Sequence, residues 1–175
     1  NKNLNLKEFQ LKNLSMAIIA AKLCNLKEKK IFNSLDKIKN VNGRLELIRI
    51  FPNNVKTFVD FAHTPDALIK SLEALKNSFG NNISVVFGCG GDRDYKKRPL
   101  MARIADSYCK KIYITDDNPR NEKPEKIREE IIKKIKNTNK FNIGDRAKAI
   151  KNAIINADPN EIILVAGKGH ETDQI

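Results

Sequence analysis

Apolar and polar positions along the chain change rhythm near residue 43. Before it, Leu14, Ala17, Ile18 and Ala21 recur at helical spacing, which predicts a helix over 14–23. A second, shorter helix is predicted over 28–38, and Asn40-Val41-Asn42-Gly43 then interrupts the pattern as a hinge. From Arg44 onward, short apolar runs alternate with amphipathic stretches. Strands are predicted over 45–50, 56–60, 84–87 and 111–114, weakly near Phe141, and over 161–165. Helices are predicted over 65–78, 99–108, 124–136 and 146–157. Runs such as Ile83-Ser84-Val85-Val86-Phe87 are apolar almost throughout, as strands covered on both faces are. The expected fold is α/β: a doubly wound, mostly parallel sheet with helices on both faces, preceded by a short helical segment.

Composition narrows the partners. A chain of 175 residues, 41% of them apolar, suits one domain with a small appendage. It holds no apolar run of membrane-spanning length and no signal-peptide pattern, and it begins Asn1-Lys2-Asn3, as a piece of a longer protein would. Cys24, Cys89 and Cys109 are far apart, without CxxC spacing, so a reducing cytoplasm is expected and neither a disulfide framework nor a metal site. Thirty-three Lys and Arg against twenty-one Asp and Glu give a formal charge of +12, which raises nucleic acid or a phosphate-rich substrate. The lysines alternate with Asn and Ile, as in Lys133-Lys134-Ile135-Lys136-Asn137, and no aromatic interleaves with a basic cluster. That pattern reads as solvated helix faces, with no nucleic-acid or membrane partner.

Every polar constellation follows a predicted strand. Asp60-Phe61-Ala62-His63-Thr64-Pro65-Asp66 leads into one helix, and Gly88-Cys89-Gly90-Gly91-Asp92-Arg93-Asp94 precedes another. Thr115-Asp116-Asp117-Asn118-Pro119-Arg120 and Ala166-Gly167-Lys168-Gly169-His170-Glu171 complete the set. Open α/β sheets bind ligands outside the carboxyl ends of their strands, so four such loops make a crevice. Arg93 and Arg120 offer planar forks for a carboxylate or phosphate, and Asp117 and Glu171 offer charge for an ammonium. Both signs together match a zwitterion; the alternative is that the four pair with one another. Asp60 and His63 are open to a nucleotide, a metal or its water, or to capping and packing roles. The glycines around Cys89 do not form GxGxxG, and GxxxxGK[ST] is absent.

These four segments, with Lys97-Arg98-Pro99-Leu100-Met101 and Gly43-Arg44-Leu45-Glu46, resemble the Mur ligases. More closely, they resemble the branch that adds the third residue of the peptidoglycan stem peptide. The resemblance implies a three-domain ATP-dependent amide ligase with a Rossmann-like last domain. In that scheme residues 1–42 are the last helices of the central, ATP-binding domain plus a hinge, and residues 43–175 are the C-terminal, amino-acid-binding domain, cut short at its end. ATP with Mg²⁺, held mainly by the central domain, would phosphorylate the D-glutamate carboxylate of UDP-MurNAc-L-Ala-D-Glu. The amine of meso-diaminopimelate would then attack the acyl phosphate.

By the same resemblance Arg93, Asp117, Asn118, Pro119, Arg120, Gly167 and Glu171 hold diaminopimelate, while Arg44, Asp60 and His63 lie towards the nucleotide. No catalytic residue is assigned. The resemblance also implies a cytoplasmic monomer whose phosphate-binding loop lies outside this chain, so the chain alone is expected to fold without ligating. Phe61 stands where relatives often have tyrosine, and a folylpolyglutamate synthase shares the Asp-x-Ala-His-x-Pro segment but not Asp-Asn-Pro-Arg. The rival from another class is a basic nucleic-acid module. In a gel-shift experiment the chain is expected to ignore arbitrary DNA, whereas a salt-dependent shift would favour that module.

Overall fold

A computed structural model describes residues 8–38 and 41–168, which fall into two compact units, 1–40 and 41–175. In the first unit, α1 (Glu8–Leu23) and α2 (Glu28–Leu35) meet across an apolar groove lined by Leu14, Ala17, Ile18, Leu26, Ile31 and Leu35. α1 starts six residues before the predicted helix, and Leu11 continues the apolar spacing backwards from Leu14. Asn25, at φ 60°, ends α1 in a left-handed turn, and the Leu26 N–H returns to the Ala21 carbonyl at 3.1 Å.

The second unit is a six-stranded sheet flanked by helices. Along the chain run β1 (Glu46–Ile50), β2 (Lys56–Asp60), α3 (Pro65–Phe79), β3 (Ile83–Phe87), α4 (Lys97–Tyr108), β4 (Lys111–Ile114), α5 (Pro124–Ile132), β5 (Lys140–Asn142), α6 (Arg146–Ile155) and β6 (Ile162–Ala166). The spatial order is β1-β2-β6-β3-β4-β5, parallel throughout except that β1 pairs antiparallel with β2. The expected mostly parallel, Rossmann-like α/β fold is what the chain adopts. β3 and β6 are buried at every position, as their unbroken apolar runs predict. On one face Val86, Tyr113, Ile163 and Val165 pack against Ala149 and Ala153 of α6, whose small side chains let the helix lie close. The buried residues of α3, α4 and α5 include Leu68, Leu72, Leu75, Met101, Ile127 and Ile131.

Local chemistry sets the boundaries. The Thr64 hydroxyl caps α3 by accepting from the Ala67 N–H at 3.3 Å, Pro65 opens it, and Gly80 at φ 88° ends it. α4 begins two residues before the predicted Pro99, which sits in the first turn, where no N–H is required. α5 stops at Ile132, not 136, because the next residues tighten. Lys134 and Ile135 donate to carbonyls three residues back, keeping Ile135 buried outside the regular helix. Between β1 and β2 the tight turn at Pro52–Asn54 holds Asn53 and Asn54 at positive φ.

Because β2, β6, β3 and β4 are parallel, the loops after Asp60, Ala166, Phe87 and Ile114 all leave from one edge of the sheet. The opposite edge is tied by a buried carboxylate. Glu161 is fully buried and accepts from the Ser84 hydroxyl, from Lys111 Nζ at 2.8 Å and from the Asp158 N–H at 2.8 Å. Lys111 also reaches Asp158 at 2.9 Å. Among the described residues no helix is long and apolar enough to cross a membrane. Removing the buried carboxylate leaves Ser84 and a backbone N–H without their acceptor and strips Lys111 of its one buried counter-ion, leaving it Asp158 and the Asn156 carbonyl. Glu161→Ala is therefore expected to lower unfolding free energy by ~3–5 kcal/mol in urea titration; a loss of less than ~1 kcal/mol would mean the network is energetically neutral.

Candidate functional site

The site is founded on a backbone contact. β3 and β4 are neighbours, and the loop after β3 lies directly on the turn after β4. A Cβ on Gly88 would fall 2.3 Å from the Thr115 carbonyl oxygen, and one on Gly91 would fall 1.9 Å from the Pro119 carbonyl oxygen. No side chain fits at either position. The Gly91 N–H donates to the Asn118 carbonyl at 2.9 Å, closing the seam.

Within the turn, consecutive residues take different tasks. Thr115 is buried, its hydroxyl donating to the Gly144 carbonyl at 2.9 Å. Asp116 forms an ion pair with Arg128, whose Nε holds the Asn142 side chain at 2.7 Å. Asp116 is thus a structural acid. Asp117 accepts from the Asn118 N–H at 2.6 Å, and its other oxygen lies 3.2 Å from where a Gly167 Cβ would stand. Gly167, at φ 101°, starts the loop after β6. The Asn118 side-chain oxygen accepts from Lys168 Nζ at 3.2 Å. Arg120, at φ 51°, places Nη1 on the Gly91 carbonyl at 2.9 Å and the Asn118 carbonyl at 3.3 Å. Its Nε and Nη2 make no hydrogen bond among the described residues. Arg93 is exposed and makes neither a hydrogen bond nor an ion pair there.

The loop after β2 forms the far wall. Asp60 is buried, with one oxygen accepting from the Leu45 N–H at 2.6 Å and the other from the Ala62 N–H at 2.8 Å. Burial is the largest influence on its carboxyl and pushes the pKa up, against the pull of the Ala62 and Leu45 N–H groups. The Phe61 N–H reaches the Gly43 carbonyl at 2.9 Å, so residues 43–45 fold back onto this loop. The Arg44 guanidinium stacks 4.5 Å from the Phe61 ring centre, and His63 meets the same ring edge-on at 4.8 Å. Lys97 Nζ donates to the His63 carbonyl at 2.9 Å, joining α4 to the loop after β2.

Between these walls lies a cavity of about 620 Å³. Of the residues expected to bind, it brings together Arg93, Asp117, Asn118, Arg120, Gly167 and His63. Pro119 instead lines a smaller void beneath the turn, Asp60 is buried behind the wall, and Arg44 lies on Phe61. Glu171 lies outside the described residues. Lining residues not anticipated as ligands include Asp94 and Lys97, so among the described residues four cations (Arg93, Lys97, Arg120, Lys168) accompany two carboxylates (Asp94, Asp117). Among the described residues no group of three His, Cys, Asp or Glu side chains could hold a metal ion.

Arg98 also escaped the sequence reading. It is 2% exposed and forms a forked pair with Glu122, at 2.7 and 3.0 Å, plus a bond to Glu130 at 2.7 Å. The signal was available: Arg98 shares helical spacing with Met101, Ala102 and Ala105, so a guanidinium sits on a buried face. The Arg98 hydrogen bonds are the main reason that the Glu122 carboxyl is held down at about 2. Burial pushes the Cys89 thiol up to about 12, which leaves it an inert packing group.

Residues 43–169 match the family described as Mur ligase, glutamate ligase domain. The chain is 47% identical over 169 residues to a UDP-N-acetylmuramoyl-L-alanyl-D-glutamate–2,6-diaminopimelate ligase of Rickettsia bellii, covering 95% of this chain and 35% of that protein. A solved structure bearing the same enzyme name superposes with a TM-score of 0.71 at 39% identity, over 97% of this chain and 35% of that one. A folylpolyglutamate synthase of Thermotoga maritima superposes at 0.64 with 25% identity, over 93% and 36%. The chain therefore spans about a third of the length of the curated relatives it matches.

The depressed Glu122 carboxyl has a consequence for pH. A lowered folded-state pKa means the pair's contribution to stability is present above the ordinary value of 4.5 and is lost as pH falls towards about 2. In urea titrations the stability advantage of the parent chain over Glu122→Gln is expected to shrink through that window. A difference independent of pH there would contradict the assignment.

Proposed function

The chain belongs to the Mur ligase family, and we propose that it is the amino-acid-binding end of the ligase that joins meso-diaminopimelate to UDP-MurNAc-L-Ala-D-Glu. The observation that carries this reading is the cavity lined together by Arg93, Arg120 and Asp117. Diaminopimelate's far end bears a carboxylate and an ammonium, and this site offers a partner for each. The two free donors of Arg120 and the whole fork of Arg93 suit the carboxylate; Asp117 suits the ammonium. By the family resemblance Glu171 would join Asp117. With that end fixed, the reacting amine is held at the mouth of the crevice, where orientation lowers the barrier to attack on an activated carboxyl.

Residues 1–42 are proposed as the last helices of the preceding, ATP-binding domain with its hinge. ATP supplies the phosphoryl group that activates the glutamate carboxylate. The stacked Arg44, Phe61 and His63 fit the nucleoside end of such a ligand, and Asp60 supports them from behind through Leu45 and Ala62. By the family resemblance Mg²⁺ would be held mainly by the preceding domain. The reading places the whole enzyme in the bacterial cytoplasm as a monomer acting on small molecules. It favours diaminopimelate ligation over folylpolyglutamate synthesis because Asp117-Asn118-Pro119-Arg120 lines or underlies the cavity and the identity to the superposed structures is 39% against 25%.

Lysine carries the far ammonium without the carboxylate, so it would leave both arginines without their anion at a cost of ~2–5 kcal/mol. That corresponds to roughly 30- to several-thousand-fold discrimination. In ligation assays of the full-length enzyme, Arg93→Ala and Arg120→Ala are each expected to lower kcat/KM for diaminopimelate by a factor in that range, with little change for lysine. Arg93→Ala is the cleaner variant, because that side chain has no protein partner among the described residues. Equal losses on both substrates, or a parent enzyme that prefers lysine, would overturn the carboxylate clamp.

A further inference from the structure

We propose that Arg98 is a positioning residue for the amino-acid site, setting through Glu122 the spacing between the loop that carries Arg93 and the turn that carries Arg120. The inference rests on the reading of that site given above. Arg98 issues from the first turn of α4 and touches three segments at once. Its fork takes both oxygens of Glu122, just past the turn; Nη1 also takes Glu130 of α5, and Nη2 lies 3.4 Å from the Gly90 carbonyl.

The Glu122 carboxylate does not stop at Arg98. Its Oε1 also accepts from the Asp92 N–H at 2.8 Å. Asp92 answers in the other direction: its Oδ2 accepts from the Asn121 N–H at 3.1 Å and from the Asn121 side-chain amide at 2.7 Å. Asp92 immediately precedes Arg93, and Asn121 immediately follows Arg120. Each ligand-facing arginine is therefore adjacent to a residue bonded across the seam, and the two crossings share Asp92, whose N–H is held by the carboxylate that Arg98 grips.

Stability alone is a poor account of this cation. A buried guanidinium carries a desolvation cost that an apolar side chain of similar size would avoid, and Met101, Ala102 and Ala105 already dock α4. What an apolar residue could not do is hold Glu122 by a planar fork while leaving its second lone pair for Asp92. Lysine could not do so either, since it bonds as a point charge. Two cations that grip one small carboxylate must stand at a set distance, and displacement of either by about 1 Å is enough to cost on the order of a hundredfold.

The test uses the full-length enzyme with Arg98→Lys and Glu122→Gln. Both variants are expected to raise KM for diaminopimelate by about tenfold or more. The kcat at saturating diaminopimelate, and KM for ATP and for the UDP-linked dipeptide, are expected to stay within about twofold. A purely structural role would lower melting temperature and active fraction without this split in KM, and that result would overturn the proposal. If Arg98→Lys does not fold, Glu122→Gln decides alone, because it removes the shared charge of the latch while leaving Arg98 its bond to Glu130; an unchanged KM would then sink the idea. A parent enzyme that turns over no diaminopimelate would refute the proposed function, whereas normal parent turnover with unaltered variant KM would refute the latch only.

Discussion

No side chain can stand between the loop after β3 and the turn after β4, and much of the site follows from that exclusion. With Gly88 and Gly91 in van der Waals contact with carbonyls of the turn, the two segments join as backbone, and the charged side chains are left at the rim. The approach is possible because β3 and β4 are adjacent and parallel, so their carboxyl ends lie side by side. Insertion of β6 between β2 and β3 brings Gly167 beside Asp117 and beneath Asp60, whose carbonyl accepts the Gly167 N–H at 3.1 Å. Three separate stretches of sequence thus become one wall.

The carboxyl edge of a parallel sheet has a second problem, since its last carbonyls point out of the ladder and need donors. Backbone N–H groups of Gly167, Thr115 and Ile143 meet it for Asp60, Phe87 and Ile114, and arginines serve Ala166 and the loop carbonyls beyond. Arg146 Nη2 reaches the Ala166 carbonyl at 2.8 Å and Nη1 the Asp116 carbonyl at 3.4 Å, while Arg120 covers Gly91 and Asn118. At the amino edge the sign reverses: the Asp158 N–H, the Ser84 hydroxyl and Lys111 converge on the buried Glu161. The basic character of the chain therefore has two origins. Some cations satisfy strand ends, and many of the lysines lie on solvated helix faces.

Most of the fold was legible because its central strands are covered on both faces, which imposes unbroken apolar runs such as Ile83–Phe87. The predicted starts of α3 at Pro65 and α6 at Arg146 match the structure, which adds the caps supplied by Thr64 and Asp145. Strand order was not, because pairing depends on contacts between residues far apart in sequence. The antiparallel placement of β1 at the edge, with Leu47, Ile48 and Ile50 exposed, carries no local mark. The site divides in the same way. Loops after strands announced Arg93, Asp117 and Arg120, whereas the roles of Asp116 and Asp60 depend on partners at Arg128 and Leu45 that spacing alone does not reveal. Arg98 was concealed by belonging to an otherwise ordinary amphipathic helix.

Under the proposed function, the way Arg120 is held would bear on affinity as well as selectivity. An unrestrained arginine surrenders roughly 2 kcal/mol of rotamer entropy when a ligand fixes it. Here Nη1 is already anchored on two carbonyls, so much of that ordering takes place during folding, before any ligand arrives. Arg93, with no such anchor among the described residues, must still be ordered at the moment of binding. In the proposed amino-acid site the two arginines therefore form an asymmetric pair, one a rigid template and the other an adaptable arm, and the rigid member would set the pose of the ligand.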